Sequence, residues 1–183
     1  MALPKNIRFK ADDIWDTPDD GKRYEVIDGQ LYVTPPPVLE HQGASGVLHA
    51  YIWPYVRQRR LGRVYSAPVG VVLDDENGVQ PDLVYVSRER LHILSRRGIE
   101  GAPDLVVEIL SPSTRSRDRG IKLRRYAASG VPHYWIVDPR SRELEARRLT
   151  ELGYKLTGKF GPGSVFRPDL FPDLEIPIDE LWA

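Results

Sequence analysis

Alternating apolar and polar positions predict a β-hairpin near the start of the chain. The stretch from Arg23 to Val33 alternates around Asp28-Gly29, and this dipeptide between alternating segments is the strongest short-range hairpin signal. The three prolines at 35–37 should stop the hairpin. A short helix anchored by Ile14 and Trp15 is expected ahead of it.

An apolar stripe predicts a long helix from about Leu39 to Arg60, which Pro54 should kink or end halfway. Beyond it, Arg63 to Leu73 and Gln80 to Val86 are typical of two strands joined by a turn. Asp82 would then lie at the start of the second of these strands.

A near-continuous apolar run predicts a strand that is covered on both faces. It extends from Pro103 to Leu110 and is interrupted by one charged residue, Glu108. Because an unpartnered carboxylate is costly to bury, Glu108 must meet a cation, a proton or a hydrogen-bond donor.

The rest of the chain predicts one basic helix and three further strands. The helix covers residues 114–129 and ends at Gly130, a plausible left-handed cap. A buried strand is predicted for His133 to Val137. A second hairpin is predicted from two further strands, Glu143 to Leu149 and Tyr154 to Thr157. We therefore expect a single α/β domain over residues 1–183, with a central mixed sheet flanked by helices and a hairpin towards each end.

Composition limits the chemistry that such a domain can perform. The chain of 183 residues has no cysteine, which excludes disulfides, thiolate zinc sites and cysteine nucleophiles and leaves oxygen ligands and histidine for a metal. Its 26 basic and 26 acidic residues cancel, so any attraction to nucleic acid must come from local clustering. Without an apolar run of membrane-spanning length or a signal peptide, we expect no membrane partner and a cytoplasmic location.

Asp82, Glu108 and Lys122 form the constellation with the clearest chemistry. Neighbouring strands lie about 5 Å apart, so the two carboxylates could share one cation. Lys122 lies on the following helix, in a stripe with Tyr126, and could return its ammonium group to the same end of the sheet. Two carboxylates and a lysine suit metal-assisted hydrolysis of a phosphodiester.

Several segments between residues 23 and 139 resemble one family. They are Arg23-Tyr24-Glu25-Val26-Ile27-Asp28-Gly29, Glu40-His41-Gln42, Gln80-Pro81-Asp82-Leu83-Val84, the stretch from Pro103 to Thr114, Asp118-Arg119-Gly120-Ile121-Lys122 with Tyr126, and the stretch from Gly130 to Pro139. In this order they resemble the PD-(D/E)XK restriction-endonuclease-like superfamily and, within it, the bacterial Uma-two family of endonucleases.

The resemblance implies a restriction-endonuclease-like core and DNA cleavage that depends on Mg²⁺ or Mn²⁺. Asp82 and Glu108 would bind the metal, and Lys122 would assist the attacking water. The superfamily pattern has a lysine two residues after the acid, where this chain has Leu110; Lys122 on the next helix would replace it. Glu25 and His41 are supplementary candidates, for a second ion or water and for a phosphate.

The basic helix is the candidate nucleic-acid surface. Arg115, Arg117 and Arg119 follow the Glu108 strand directly and could neutralise phosphates, although such a run is usually a solvated helix face. Asp104 also follows a proline, but it lies about 13 Å along the strand from Glu108, too far to share an ion. We interpret it as a strand-start residue.

Other interpretations remain open at this point. Asp82 could be a turn residue. Glu108 could form a structural ion pair with a buried arginine, and Lys122 could lie on a solvated helix face. The alternative function is a catalytically silent protein of the same fold that binds DNA or assembles with itself. The hairpins and the apolar tail make a homodimer plausible.

Overall fold

The computed structural model describes residues 7–183 and contains three sheets, of five, six and two strands. The strands are β1 (Arg23–Ile27), β2 (Gln30–Thr34), β3 (Gly62–Ser66), β4 (Val71–Asp74), β5 (Asn77–Val79), β6 (Leu83–Ser87), β7 (Ile99–Glu100), β8 (Leu105–Ile109), β9 (His133–Asp138), β10 (Glu143–Thr150), β11 (Gly153–Phe160), β12 (Val165–Phe166) and β13 (Ile176–Pro177). The helices are α1 (Leu39–Gln58), α2 (Arg115–Arg117) and α3 (Leu123–Ala128), with a π-helical segment (Asp118–Lys122) between the last two and 3₁₀ helices at Ala11–Asp16, Arg88–Ile93 and Ile178–Trp182.

The six-stranded sheet is the mixed central sheet that the sequence predicted. Its order is β11-β10-β9-β8-β6-β3, in which β8 and β9 are parallel and every other pair is antiparallel. Side chains of β8 alternate between two cores: Val107 packs with α1 residues such as Leu48, and Val106 packs with Tyr126 of α3. Both faces of the sheet are therefore covered, as the apolar run around Glu108 requires.

A second sheet was not expected from the sequence. The five-stranded sheet has the order β2-β1-β5-β4-β7 and carries the predicted hairpin of β1 and β2, whose turn residues Asp28 and Gly29 both have positive φ. The prediction of one continuous strand from Arg63 to Leu73 was wrong, because β3 belongs to the six-stranded sheet and β4 to the five-stranded sheet. Pro68 lies between them, and proline cannot donate a hydrogen bond to a strand ladder.

Two helices differ in detail from the prediction. Helix α1 continues past Pro54 to Gln58, and burial of Tyr55 and Val56 holds its last turn against the core. The basic helix is interrupted by the π-helical segment, which changes the direction in which the following side chains project. Among the described helices, none combines the length and the apolar character needed to span a membrane.

Candidate active site

Asp82 and Glu108 lie opposite each other on neighbouring strands. In the antiparallel pair of β6 and β8, Leu83 is opposite Val107, so the same register carried one residue further places Asp82 beside Glu108. The backbone N–H of Ile109 donates to Oδ2 of Asp82 at 2.6 Å, which fixes the Asp82 side chain against β8. Both residues are 1% exposed. The structure thus brings the two predicted carboxylates together.

Lys122 reaches Glu108. Its Nζ lies 2.5 Å from Oε1 of Glu108, and the hydroxyl of Tyr126, one helical turn further on, donates to the same oxygen at 2.6 Å. Lys122 ends the π-helical segment, where an extra residue in the turn rotates the helix, a feature frequent at functional sites. The structure thus brings the predicted lysine to the predicted acid; its part in catalysis stays a prediction.

Two further carboxylates surround the same ammonium group. Glu25, on β1, accepts a hydrogen bond from Lys122 at 2.8 Å and from the backbone N–H of Gln80 at 2.9 Å. Asp118, one turn before Lys122, approaches its Nζ to 3.6 Å. We call Glu25, Asp82, Glu108, Asp118 and Lys122 the acidic cluster; all are buried.

Asp82 has two basic side chains of its own as partners. Arg23 donates to Oδ1 of Asp82 at 2.6 Å, and Nε2 of His41 lies 3.2 Å from Oδ2. The predicted histidine thus lies next to the predicted metal ligand, at the N-terminal turn of α1. Its proposed contact with a phosphate stays a prediction.

Arg23 and Asp118 were not among the predicted site residues, although the sequence held a signal for each. Arg23 precedes Glu25 by two positions on one strand, so both side chains lie on the same face. Asp118 precedes Lys122 by four positions on a helix, the spacing of an ion pair.

The three arginines predicted to bind nucleic acid have partners within the protein. Arg115 makes two hydrogen bonds to Asp138, at 2.7 and 2.6 Å, and Arg119 makes two to Glu145, at 3.1 and 3.0 Å. Arg117 lies over the ring of Tyr32, 4.8 Å from its centroid. A role in binding nucleic acid stays a prediction for all three.

Asp104 does not belong to the cluster. Its Oδ2 accepts a hydrogen bond from the backbone N–H of Ser87 at 2.7 Å, and Arg90 lies 3.6 Å from its other oxygen. These contacts place it at the opposite end of β8 from Glu108, as a residue that fixes a loop.

The environment separates the pKa values of the two central carboxyls. Burial raises the pKa of Glu108 to about 8; Lys122 opposes this rise, and the surrounding carboxylates reinforce it. Burial alone would also raise the pKa of Asp82, but Arg23 and His41 outweigh it and lower the value to about 2. Carboxyl pKa values that are shifted in opposite directions within one buried cluster are typical of functional sites.

We expect the stability of the protein without metal to fall as the pH rises from about 4.5 to about 8. Folded Glu108 keeps a proton throughout this range, whereas the unfolded chain releases it above the ordinary value of 4.5, so rising pH favours unfolding. Thermal melts in chelator should show a melting temperature that declines over this range. The Glu108→Gln variant cannot titrate at this position, so its melting temperature should decline less; an identical decline in both proteins would contradict the assignment.

The donor set of the acidic cluster fits a magnesium-like ion. Its four buried carboxyl groups supply the oxygen ligands that Mg²⁺ prefers, and three basic side chains, Arg23, Arg117 and Lys122, balance most of their charge. Glu108 would release its proton on binding the ion, because a carboxyl group must be deprotonated to act as a ligand. Within the described part of the chain, no group of three or more histidine or acidic side chains is arranged to hold an ion by itself. Mg²⁺ needs no such cage, because it is usually bound by one or two carboxylates and keeps water and phosphate oxygens as its other ligands.

A cavity of about 700 Å³ opens beside this site. It is lined by Asp82, Arg23 and His41 and extends along α1 past Gln42 to His49, whose Nδ1 lies 2.6 Å from the Ser66 hydroxyl. The buried carboxylate Asp82 is therefore connected to a space large enough for a nucleotide.

Comparison with solved structures shows that this mixed α/β fold is shared with a protein of known crystal structure. The chain is similar to the protein in "Crystal structure of a putative nuclease belonging to DUF820 from Anabaena variabilis ATCC 29413", with a TM-score of 0.78 and 19% sequence identity over 95% of this chain and 97% of that one. At this identity the likeness shows the fold alone.

The family model gives the particular assignment. Residues 12–179 match the Uma2 family, described as "Putative restriction endonuclease", and the chain belongs to this family. No curated protein matches the chain.

Proposed function

We propose that this protein is a metal-dependent endonuclease that hydrolyses phosphodiester bonds in DNA. The observation that carries the proposal is the pairing of Asp82 and Glu108 across neighbouring strands, with the ammonium group of Lys122 2.5 Å from Glu108. The description of the Uma2 family and the nuclease assignment of the similar crystal structure support the same activity.

Asp82 and Glu108 would hold Mg²⁺ or Mn²⁺, sharing their oxygens with Arg23 and Lys122. When bound, such an ion polarises the phosphate and lowers the pKa of a coordinated water. Tyr126 orients Glu108 through its hydroxyl, and the Ile109 N–H orients Asp82, so both oxygens are fixed before substrate arrives.

Lys122 acts as a charged donor and not as a base. Burial alone would lower its pKa, but Glu108, Glu25 and Asp118 outweigh this effect and raise it, so the ammonium form persists at neutral pH. An ammonium group can donate a hydrogen bond to the attacking water or to a phosphate oxygen and can stabilise the negative charge that develops there. Arg23 and His41, on the wall of the cavity, would contact the phosphate, and the guanidinium group of Arg23 would neutralise part of its charge.

The metal requirement is the direct test of this proposal. We expect purified protein to cleave supercoiled plasmid, linear duplex or single-stranded DNA with Mg²⁺ or Mn²⁺, to stop in excess chelator and to resume when metal is restored. Cleavage that persists in chelator would contradict the role of the carboxylate pair. A folded protein that binds DNA but cuts none of the three substrates with either metal would instead favour a silent DNA-binding protein. Homodimer formation and a cytoplasmic location stay predictions.

A further inference from the structure

A second cavity, of about 360 Å³, is lined in part by Gln80, whose backbone N–H donates to Glu25 of the acidic cluster, and it has no role in the proposed reaction described above. Aromatic rings of Trp15 and Tyr65 contribute to its wall, together with the turn at 95–98, which carries Arg96 and Arg97. Tyr65 is 37% exposed, so its ring is available to a ligand.

The wall of this second cavity is held in place by backbone contacts. The Ser95 N–H donates to the carbonyl of Gly98 at 2.8 Å, and the Ser95 hydroxyl accepts hydrogen bonds from the N–H groups of Arg97 and Gly98, at 3.2 and 3.3 Å. Trp15 lies against two glycines: a Cβ on Gly70 or on Gly98 would lie 2.3 Å from its ring. The arginine turn and the indole are thus parts of one preformed structure.

The charge of the second cavity matches an anion. Among the described residues, its lining includes Arg96 and Arg97 and no acidic side chain, in a chain whose charges balance overall. Arg97 has a weak partner in Asp12 at 3.9 Å, and both side chains are more than half exposed. Two guanidinium groups beside two aromatic rings are complementary to a phosphate attached to a base.

The second cavity adjoins the active-site cavity. Pro68 and Gln80 line both of them. Gln80 lies two residues before Asp82, and its backbone N–H donates to Glu25 of the acidic cluster. A strand with one phosphate at Asp82 would therefore pass the shared boundary and bring a neighbouring nucleotide to the arginine turn.

We propose that the second cavity binds one unpaired nucleotide of the DNA strand, next to the phosphate that is cut. Arg96 and Arg97 contact its phosphate, and its base stacks on Tyr65. A base inside a duplex has both faces covered by its neighbours, so this contact favours single-stranded or locally unpaired substrate. The inference rests on the proposed nuclease function and specifies the form of its substrate.

Binding measurements without cleavage test this inference. A fluorescent single strand of about 16 nucleotides and the blunt duplex of the same sequence are titrated in chelator against wild type, Arg96→Glu and Tyr65→Ala. The control is Lys155→Glu, an exposed charge on β11, at the opposite edge of the six-stranded sheet from β3. Thermal melts establish that each variant is folded.

We expect Arg96→Glu to weaken single-strand binding about fivefold or more and to reduce the salt dependence, by about 0.7 in the slope of log K against log salt for each phosphate that is no longer neutralised. Tyr65→Ala should weaken single-strand binding about fivefold or more and change duplex binding less than about twofold. The Lys155→Glu control should bind as wild type does.

Equal losses in all three variants, or wild-type binding by Arg96→Glu and Tyr65→Ala, would overturn the second cavity as a nucleotide site. Equal weakening of duplex and single strand by Tyr65→Ala would overturn the preference for unpaired DNA. Neither of these results would contradict metal-dependent plasmid cleavage by the wild type, which is measured separately. Absence of cleavage by the wild type under every condition would remove the proposed function itself, and this inference with it.

Discussion

Glu108→Gln should lose metal-dependent cleavage, by at least about 100-fold, and remain folded. Removing a residue that only supports a metal ligand typically costs 10- to 100-fold in affinity or activity, so removing a ligand itself should cost at least the upper value. The amide keeps an oxygen for Tyr126 and Lys122, whose donors approach Oε1 of Glu108 to 2.6 and 2.5 Å. Initial rates of plasmid nicking at saturating Mg²⁺, together with a thermal melt, measure both parts of this prediction.

Asp104→Asn is the matched control for this loss. Asp104 precedes the same strand, but its carboxylate accepts a hydrogen bond from Ser87 and faces Arg90, away from the acidic cluster. This variant should cut DNA at close to the wild-type rate. Equal activity in wild type and Glu108→Gln would mean that the cleavage arises from another site or from another protein in the preparation.

Lys122→Met should destabilise the protein by about 3–5 kcal/mol, because removing one partner of a buried charge network leaves the others uncompensated. Lys122 is the shared cation of Glu25, Glu108 and Asp118, and its side chain is 1% exposed. For a chain of this size the loss corresponds to a melting temperature lower by about 6–20 °C. Urea and thermal unfolding above pH 8, where Glu108 is ionised as well, should show it most clearly.

The double variant Lys122→Met with Glu108→Gln separates charge from packing. If uncompensated charge is the cause, removing one of the carboxylates left without a cation should recover part of the lost stability. The free-energy changes of the two substitutions will then not be additive. Lys155→Met is the control, because replacing this exposed residue should change stability by less than about 0.5 kcal/mol. A loss below about 1 kcal/mol in Lys122→Met would show that Lys122 does not balance the cluster.

The acidic cluster is costly to bury and therefore points to function. A purely structural role for Glu108 predicts that an apolar residue of similar size, as in Glu108→Leu, raises the melting temperature without affecting DNA cleavage. The nuclease proposal also allows a higher melting temperature in that variant but requires cleavage to be lost. Activity, and not stability, therefore decides between the two interpretations.

Local sequence pattern was sufficient to place the main carboxylates. The apolar run around Glu108 specified a doubly covered strand, and the pattern before Val86 specified a second strand, which begins at Leu83, directly after Asp82. Because adjacent strands are separated by a constant distance, the two acids would be neighbours if these two strands were paired, and the structure pairs them. The spacing of Lys122 and Tyr126 indicated one helix face, and both side chains contact Glu108.

The pattern was insufficient where partners are distant in the chain. The sequence indicated that Arg115 and Arg119 lie on a solvated basic face of a helix. In the structure Arg115 binds Asp138 of β9, and Arg119 binds Glu145 of β10. Arg23 lies 59 residues before Asp82 in the sequence, and yet it forms the shortest ion pair that Asp82 makes. Periodicity describes the neighbours of a residue along one element, and it carries no information about which other element packs against it.

The amino-acid sequence by itself determined the elements that carry the site: a strand interrupted by Glu108, a strand begun by Asp82 and a helix carrying Lys122. Only the tertiary structure decided that the chain near Pro68 passes from one sheet to another, that Glu25 joins the cluster from the five-stranded sheet, and that a second cavity adjoins the active-site cavity. The physical reason is that strands and helices form from local hydrogen bonding and burial patterns, whereas a site and its cavities form where elements distant in sequence pack together.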